Sequence, residues 1–205
     1  MRRTSADLIP RTAAAAAILL VALTMSRSAR ADINLGAEAG VAYRASDVPG
    51  LDPGLALGAH AEFSLVPFLR LGAYFLHYRL STDAARDDQA YFNAFGPRLR
   101  LMVPIPGTDL LPYAQAGIGF TLASYPGLAT ADVTTSIEER SGYFLEVPLG
   151  IGLAYEIASI LHVSADFTVR PAFAHFGDAF DDTLREPNDA QTFGYSVLGG
   201  VALDF

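Results

Sequence analysis

His162 and Ser164 stand at i and i+2, the spacing at which an extended chain puts two side chains on one face. A base beside a hydroxyl is the minimal arrangement for activating a nucleophile. His77 and Ser81 are close in sequence as well, but an i, i+4 pair on a strand is too far apart to hydrogen-bond. The chain has no cysteine, which removes thiolate chemistry, disulfides and Cys-bound metals. No H-E-x-x-H spacing suggests zinc, and no glycine-rich loop joins a strand to a helix around a phosphate. One polar segment carries Asp178, Asp181, Asp182, Glu186 and Asp189 against Arg185 alone. Carboxylates of this kind suit hard cations, yet their spacing fits no EF-hand loop, and a solvated acidic surface accounts for them. No catalytic residue, metal or cofactor is assigned, and the chain is read as not an enzyme.

A larger polar set recurs at alternate positions: Glu38, Arg44, His60, Glu62, Arg70, Arg98, Arg100, Gln115, Glu146, Asp166 and Arg170. The positions between them are apolar, including Leu35, Val41, Leu57, Phe63, Leu99, Leu101, Ile118, Leu149, Ile151, Phe167, Val197, Val201 and Leu203. Successive side chains of a strand point to opposite sides, so each strand has one uncharged apolar face and one polar or small face. An Arg facing the bilayer midplane costs about 2–4 kcal/mol, which places the apolar face against lipid and the charges inside. Isolated buried ions are very costly, so the interior Arg, Glu and Asp are expected to pair. The inward glycines Gly36, Gly40, Gly58, Gly72, Gly117, Gly119, Gly150 and Gly152 leave room for long Arg and Tyr side chains.

Eight alternating runs position these residues: approximately Ile33–Ala45, Leu55–Leu65, Phe68–Leu80, Tyr91–Val103, Leu110–Ala123, Tyr143–Ile157, Leu161–Phe176 and Gly194–Phe205. Their connections alternate between long and short. Ser46–Gly54, Ser81–Ala90, Ser124–Gly142 and Gly177–Phe193 are long and polar, while Val66-Pro67, Pro104–Asp109 and Ala158–Ile160 are tight. Transmembrane barrels keep long loops outside and short turns on the periplasmic side. The fold class is therefore all-β, an eight-stranded antiparallel up-and-down transmembrane β-barrel, closed because an open edge in hydrocarbon leaves backbone groups without partners. Aromatics gather toward the ends of the runs. Tyr43, Tyr78, Tyr91, Phe92, Tyr125, Tyr143, Phe173, Phe176, Phe193 and Tyr195 fall near the long loops, and Phe68, Tyr155 and Phe205 near the short turns. This is the placement of interfacial girdles.

Two domains are expected: a cleaved signal peptide over residues 1–31 and a barrel over 32–205. Arg2, Arg3 and Arg11 form a basic start, Ala13 to Leu23 a short apolar core, and Ala29-Arg30-Ala31 an A-x-A site with cleavage after Ala31. Five Arg against one Asp give that segment +4. The formal charge of −8 for all 205 residues therefore leaves −12 for the remainder. So acidic a chain argues against nucleic acid as a partner.

The last residues, Tyr195-Ser196-Val197-Leu198-Gly199-Gly200-Val201-Ala202-Leu203-Asp204-Phe205, resemble the closing strand of outer-membrane barrels. Tyr195, Val197, Val201, Leu203 and Phe205 carry that pattern. The region from Asp32 to Phe205 is similar to the small eight-stranded barrels typified by the transmembrane domain of outer-membrane protein A. This resemblance implies a Gram-negative outer membrane, contact with its lipid and lipopolysaccharide, and reading of the last strand by the barrel assembly machinery. No peptidoglycan-binding domain follows Phe205, so a cell-wall tether is not implied. His162-Val163-Ser164 resembles the H-x-S of lipid A deacylases, but its neighbours do not match that family. It also falls near the short turns, whereas lipid A occupies the outer leaflet. The function expected is a structural or surface-interaction role for an integral barrel filled by an Arg/Glu/Asp network, with the long loops open to a surface ligand. A narrow, porin-like pore for ions or small solutes is the alternative. A soluble exported ligand-binding barrel is a second, and it requires the opposite orientation, apolar inside and charged outside.

Overall fold

A computed structural model describes residues 33–45, 51–82, 89–125, 140–177 and 193–205. The expected signal segment, the acidic segment from Asp178 to Asp189 and the tips of the other long connections lie outside the described residues.

Eleven strand segments form the wall: β1 (Ile33–Ala45), β2 (Leu51–Asp52), β3 (Gly54–Val66), β4 (Leu69–Thr82), β5 (Gln89–Met102), β6 (Leu110–Gly117), β7 (Gly119–Tyr125), β8 (Arg140–Glu146), β9 (Leu149–Ala158), β10 (Leu161–Phe176) and β11 (Phe193–Asp204). They compose eight staves, because β2/β3, β6/β7 and β8/β9 are each one strand with a local break. Every pairing is antiparallel, and the circuit closes through β1 and β11. At the seam Ile33 and Phe205 exchange backbone bonds of 3.2 and 2.9 Å. No open edge remains for lipid to meet.

Two of the breaks come from proline. Pro97, Pro148 and Pro171 face Ile118, Gly117 and Val147, which donate to the proline carbonyls at 3.2, 2.9 and 3.0 Å. Proline has no N–H to return the bond, so three ladder bonds are missing from one patch of wall. The register is nonetheless continuous across it: Phe95 pairs with Phe120 and Arg98 with Gly117 in the same frame. A third irregularity is the bulge in β10 between Phe173 and Phe176, where Ala174 takes a φ of 53°. It turns His175 onto Phe144, with ring centroids 5.5 Å apart.

The short turns connect one end of the barrel. At the β5–β6 connection Pro106 and Gly107 occupy the central positions of a turn closed by Thr108 N donating to Ile105 O at 3.1 Å. Gly107 has a φ of 78°, the positive value that the third residue of a type II turn requires. At the other end β4 and β5 pair as far as Ser81 and Gln89. The connection expected over Ser81–Ala90 is therefore shorter than the sequence suggested. Short β2 likewise continues its stave up to Leu51.

The apolar face lies outward: Ile151 is 66% exposed and Val201 53%, whereas Glu146 and Phe144 are fully buried. This orientation is the reverse of a soluble ligand-carrying barrel. An outward belt of rings runs near the long-loop end through Phe95–Phe120, Phe120–Tyr143 and Tyr143–Phe176, and on the opposite side through Tyr43–Tyr195, with centroids 5.1 to 5.6 Å apart. Two aromatics assigned to that belt belong elsewhere. Tyr78 and Phe92 point into the lumen, 2% and 0% exposed, stacked on each other at 4.8 Å. They sit in phase with inward neighbours, and ring type alone did not reveal it.

Candidate functional site

Among the described residues the wall brings charges together in the lumen, and all eleven polar residues read from the alternation lie in it. Glu38, Arg44, His60, Glu62, Arg98, Arg100, Glu146, Asp166 and Arg170 are buried, while Arg70 and Gln115 are half-buried. They form two assemblies.

The first fills the half nearer the short turns. Asp204 accepts from Asn34 Nδ2 at 2.6 Å, Arg70 Nη2 at 2.8 Å and His162 Nε2 at 2.7 Å. His60 bridges Asn34 at 3.0 Å and Glu38 at 2.8 Å. Arg98 lies between Glu38 at 3.5 Å and Glu62 at 2.6 Å, and Arg100 reaches Glu62 at 3.3 Å and Glu38 at 3.8 Å. Arg100 then donates to Gln115 at 3.3 Å, Gln115 to Thr168 at 2.9 Å, and Thr168 to Asp166 at 3.0 Å. The result is one unbroken polar chain across β11, β1, β3, β5, β6 and β10. Within it Arg98 and Arg100 each face two carboxylates.

The second assembly lies toward the long loops. Glu146 takes Arg44 Nη2 on Oε2 at 2.8 Å and Arg170 Nη1 on Oε1 at 2.7 Å. Tyr78 Oη accepts from Arg44 Nε and Nη2 at 2.9 and 2.7 Å. One carboxylate thus serves two guanidinium groups, and aromatic faces supply the rest. Arg44 lies 4.3 Å from the Phe144 centroid, 5.6 Å from Phe92 and 5.8 Å from Tyr78, and Arg170 lies 5.5 Å from Tyr74. Desolvated cation–π contacts contribute up to about 2 kcal/mol. Around them pack Leu76, Leu80, Ala90, Ala94, Ala123 and Leu198. This apolar lining is an addition to the Arg/Glu/Asp network read from the alternation.

A cavity of about 20 Å³ separates the assemblies, lined by Tyr74, Leu76, Arg98, Asp166 and Arg170 among others. It has room for about one water molecule. The inward glycines hold side chains rather than open space. A Cβ on Gly152 would strike the Tyr113 ring, one on Gly119 would strike Tyr74 and Glu146, and one on Gly36 would strike His60. An eight-stranded barrel is only wide enough for its own side chains, and here they fill it.

Asp204, Asn34 and Tyr74 are among the participants that the sequence reading does not identify. Asp204 sits beside the terminal residue, inside the closing pattern. Asn34 lies at the start of the first stave. Tyr74 carries an inward polar tip in a run apolar on both faces. His162 was noted for its chemistry, and the structure engages it with Asp204; no hydrogen bond joins it to Ser164 among the described residues. The residues of the closing pattern, Tyr195, Val197, Val201, Leu203 and Phe205, all point outward.

The sequence matches the family model described as the outer membrane protein beta-barrel domain over residues 12–200. Among solved structures it is similar to neisserial surface protein A, with 14% identity, a TM-score of 0.64, and coverage of 86% of this chain and 100% of that one. It is also similar to Ail, the attachment invasion locus protein of Yersinia pestis, at 11% identity and TM-score 0.56, covering 86% and 100%. The N-terminal β-barrel domain of OprF from Pseudomonas aeruginosa gives 12% identity and TM-score 0.53, covering 87% and 100%. No curated protein sequence matches. At these identities the likeness is one of fold.

Proposed function

The chain belongs to the outer membrane protein β-barrel domain family, and from that premise we propose that it works through its membrane-embedded body and exposed loops rather than as a conduit. The filled lumen carries this reading: the side chains that a pore would need to part are bonded to one another on both sides of a cavity of about 20 Å³. Functional residues then fall to the long connections, since rigid scaffolds concentrate binding on their loops. Their acidic residues make a cationic ligand the better match there than an anionic one.

Export through a signal peptide cleaved after Ala31 fits the composition of residues 1–31. The outward-facing Tyr195, Val197, Val201, Leu203 and Phe205 suit recognition by the assembly machinery, with lipopolysaccharide and outer-membrane lipid as the surroundings of the folded wall. Liposome swelling tests the proposal. Vesicles containing the folded protein should shrink and recover no faster in arabinose or glycine than empty vesicles. Swelling that scales with protein content would replace this reading with the narrow pore.

A further inference from the structure

β7 and β8 are the upper parts of two staves, each joined to its lower part through a break: Ile118 between β6 and β7, Val147 and Pro148 between β8 and β9. Both breaks lie in the patch where Pro97, Pro148 and Pro171 return no ladder bond. The packed interior gives out at the same level, since the cavity of about 20 Å³ is lined by Pro148, Arg98 and Arg170.

Backbone pairing changes across this row. Below it β10 pairs with β9 at every residue from His162 to Val169. Above it, among the described residues, β10 meets β8 only at Ala172–Glu146, Phe173–Leu145 and, past the bulge, Phe176–Tyr143. Ala174 in that bulge is held at a φ of 53°, a strained value for a residue with a side chain. Higher still, Gly177 lies so close to the Gly142 backbone that a Cβ would not fit. An open groove of about 420 Å³ there is lined by Ser141, Gly142 and Tyr143 of β8 and by Gly177 across the seam. Side chains hold what the ladder does not. Tyr143 stacks on Phe176 outside at 5.1 Å, Phe144 meets His175 inside at 5.5 Å, and Glu146 takes Arg170 at 2.7 Å. On its other side β7 stays paired with β5 from Tyr91–Ser124 to Phe95–Phe120.

We propose that β7 and β8 form a flap in the wall. It bends at the proline row, keeps its ladder to β5, and parts from β10 along the bulged seam when the Glu146 latch is released. Because Glu146 and Phe144 both ride on β8, the flap carries the carboxylate and the ring away from Arg44 together, and the outer half of the lumen opens sideways as one unit. The flap is a property of the wall and does not depend on what the long loops bind.

The test is amide hydrogen exchange of the folded full-length protein in detergent, read by mass spectrometry. Local openings expose their amides ahead of the rest of a fold, so β7 and β8 should exchange roughly tenfold faster than β3 and β4. The chain has no cysteine, and Leu145 faces Phe173 across the seam within disulfide reach. Leu145→Cys with Phe173→Cys, once oxidised, should remove the difference. Ala39→Cys with Gly199→Cys, a facing pair at the β1–β11 closure, should leave it. Pro148→Ala gives the Gly117 carbonyl a donor and should slow exchange in the flap roughly fivefold, the worth of one hydrogen bond. Glu146→Gln should speed it in β7 and β8 more than in β3 and β4. Retention of the heat-dependent gel shift identifies folded variants. Equal exchange in the two regions of the parent, or flap exchange unchanged by the seam disulfide or by Pro148→Ala, overturns the proposal.

Discussion

The two halves of the lumen are sealed by different physics. Toward the short turns, Glu38 and Glu62 share Arg98 and Arg100, and a hydrogen-bonded chain extends on either side to Asp204 and Asp166. Toward the long loops a single carboxylate, Glu146, holds Arg44 and Arg170, and rings replace the missing counter-charge. The first seal is redundant and the second hinges on one residue. Charge networks with alternatives tolerate losses, whereas a lone buried partner does not, because its removal leaves uncompensated ions out of water.

That contrast ranks the expected mutational effects. Glu146→Ala strands two buried guanidinium groups and should cost about 3–5 kcal/mol, read as the shift of the urea midpoint for unfolding in detergent or lipid. Replacing Arg44, Glu146 and Arg170 together by Met, Leu and Met should recover most of that loss, since a buried ionic cluster exchanged for apolar side chains of similar volume is often neutral. Glu62→Ala should cost less, about 2 kcal/mol, because Glu38 lies within 3.5 and 3.8 Å of the same two Arg residues. If Glu62→Ala cost as much as Glu146→Ala, the redundancy argument would fail. Phe144→Leu keeps the volume roughly apolar but removes the ring face nearest Arg44. About 1 kcal/mol should be lost, within the range for such contacts, and a matched substitution at an outward ring such as Phe95 should not reproduce it. Asp204→Asn should be mildest, below about 1 kcal/mol. Its side chain is 17% exposed at the barrel end, where solvent screens the pairing with Arg70.

The eight staves and the inside–outside division were legible because lipid imposes the strictest alternation rule that a sheet meets. A charge such as Arg98 or Glu62 fixes the phase of its whole strand. The breaks were less legible. Pro97, Pro148 and Pro171 sit in strands far apart in sequence, and only the register places them in one patch of wall. The apolar half of the lumen was hidden for a related reason. In Tyr74-Phe75-Leu76 and Tyr143-Phe144-Leu145 both faces are apolar, so alternation carries no contrast, and Tyr78 and Phe92 passed for girdle residues. Their inward direction follows from phase within their own strands, Tyr78 with Arg70 in β4 and Phe92 with Arg98 in β5, which ring type does not carry. Asp204 escaped because a carboxylate next to the terminal Phe looks like a frayed end until β1 pairs with β11.

The central claim is that the lumen is closed and that Glu146 holds its outer half shut. Single-channel recording in planar bilayers tests it most directly, with the parent protein and Glu146→Ala inserted at matched amounts and checked for folding by the gel shift. No resolved steps are expected from the parent, and intermittent openings from the variant, as Arg44 and Arg170 lose their common anchor. Regular conductance steps from the parent, unchanged in Glu146→Ala, would contradict it.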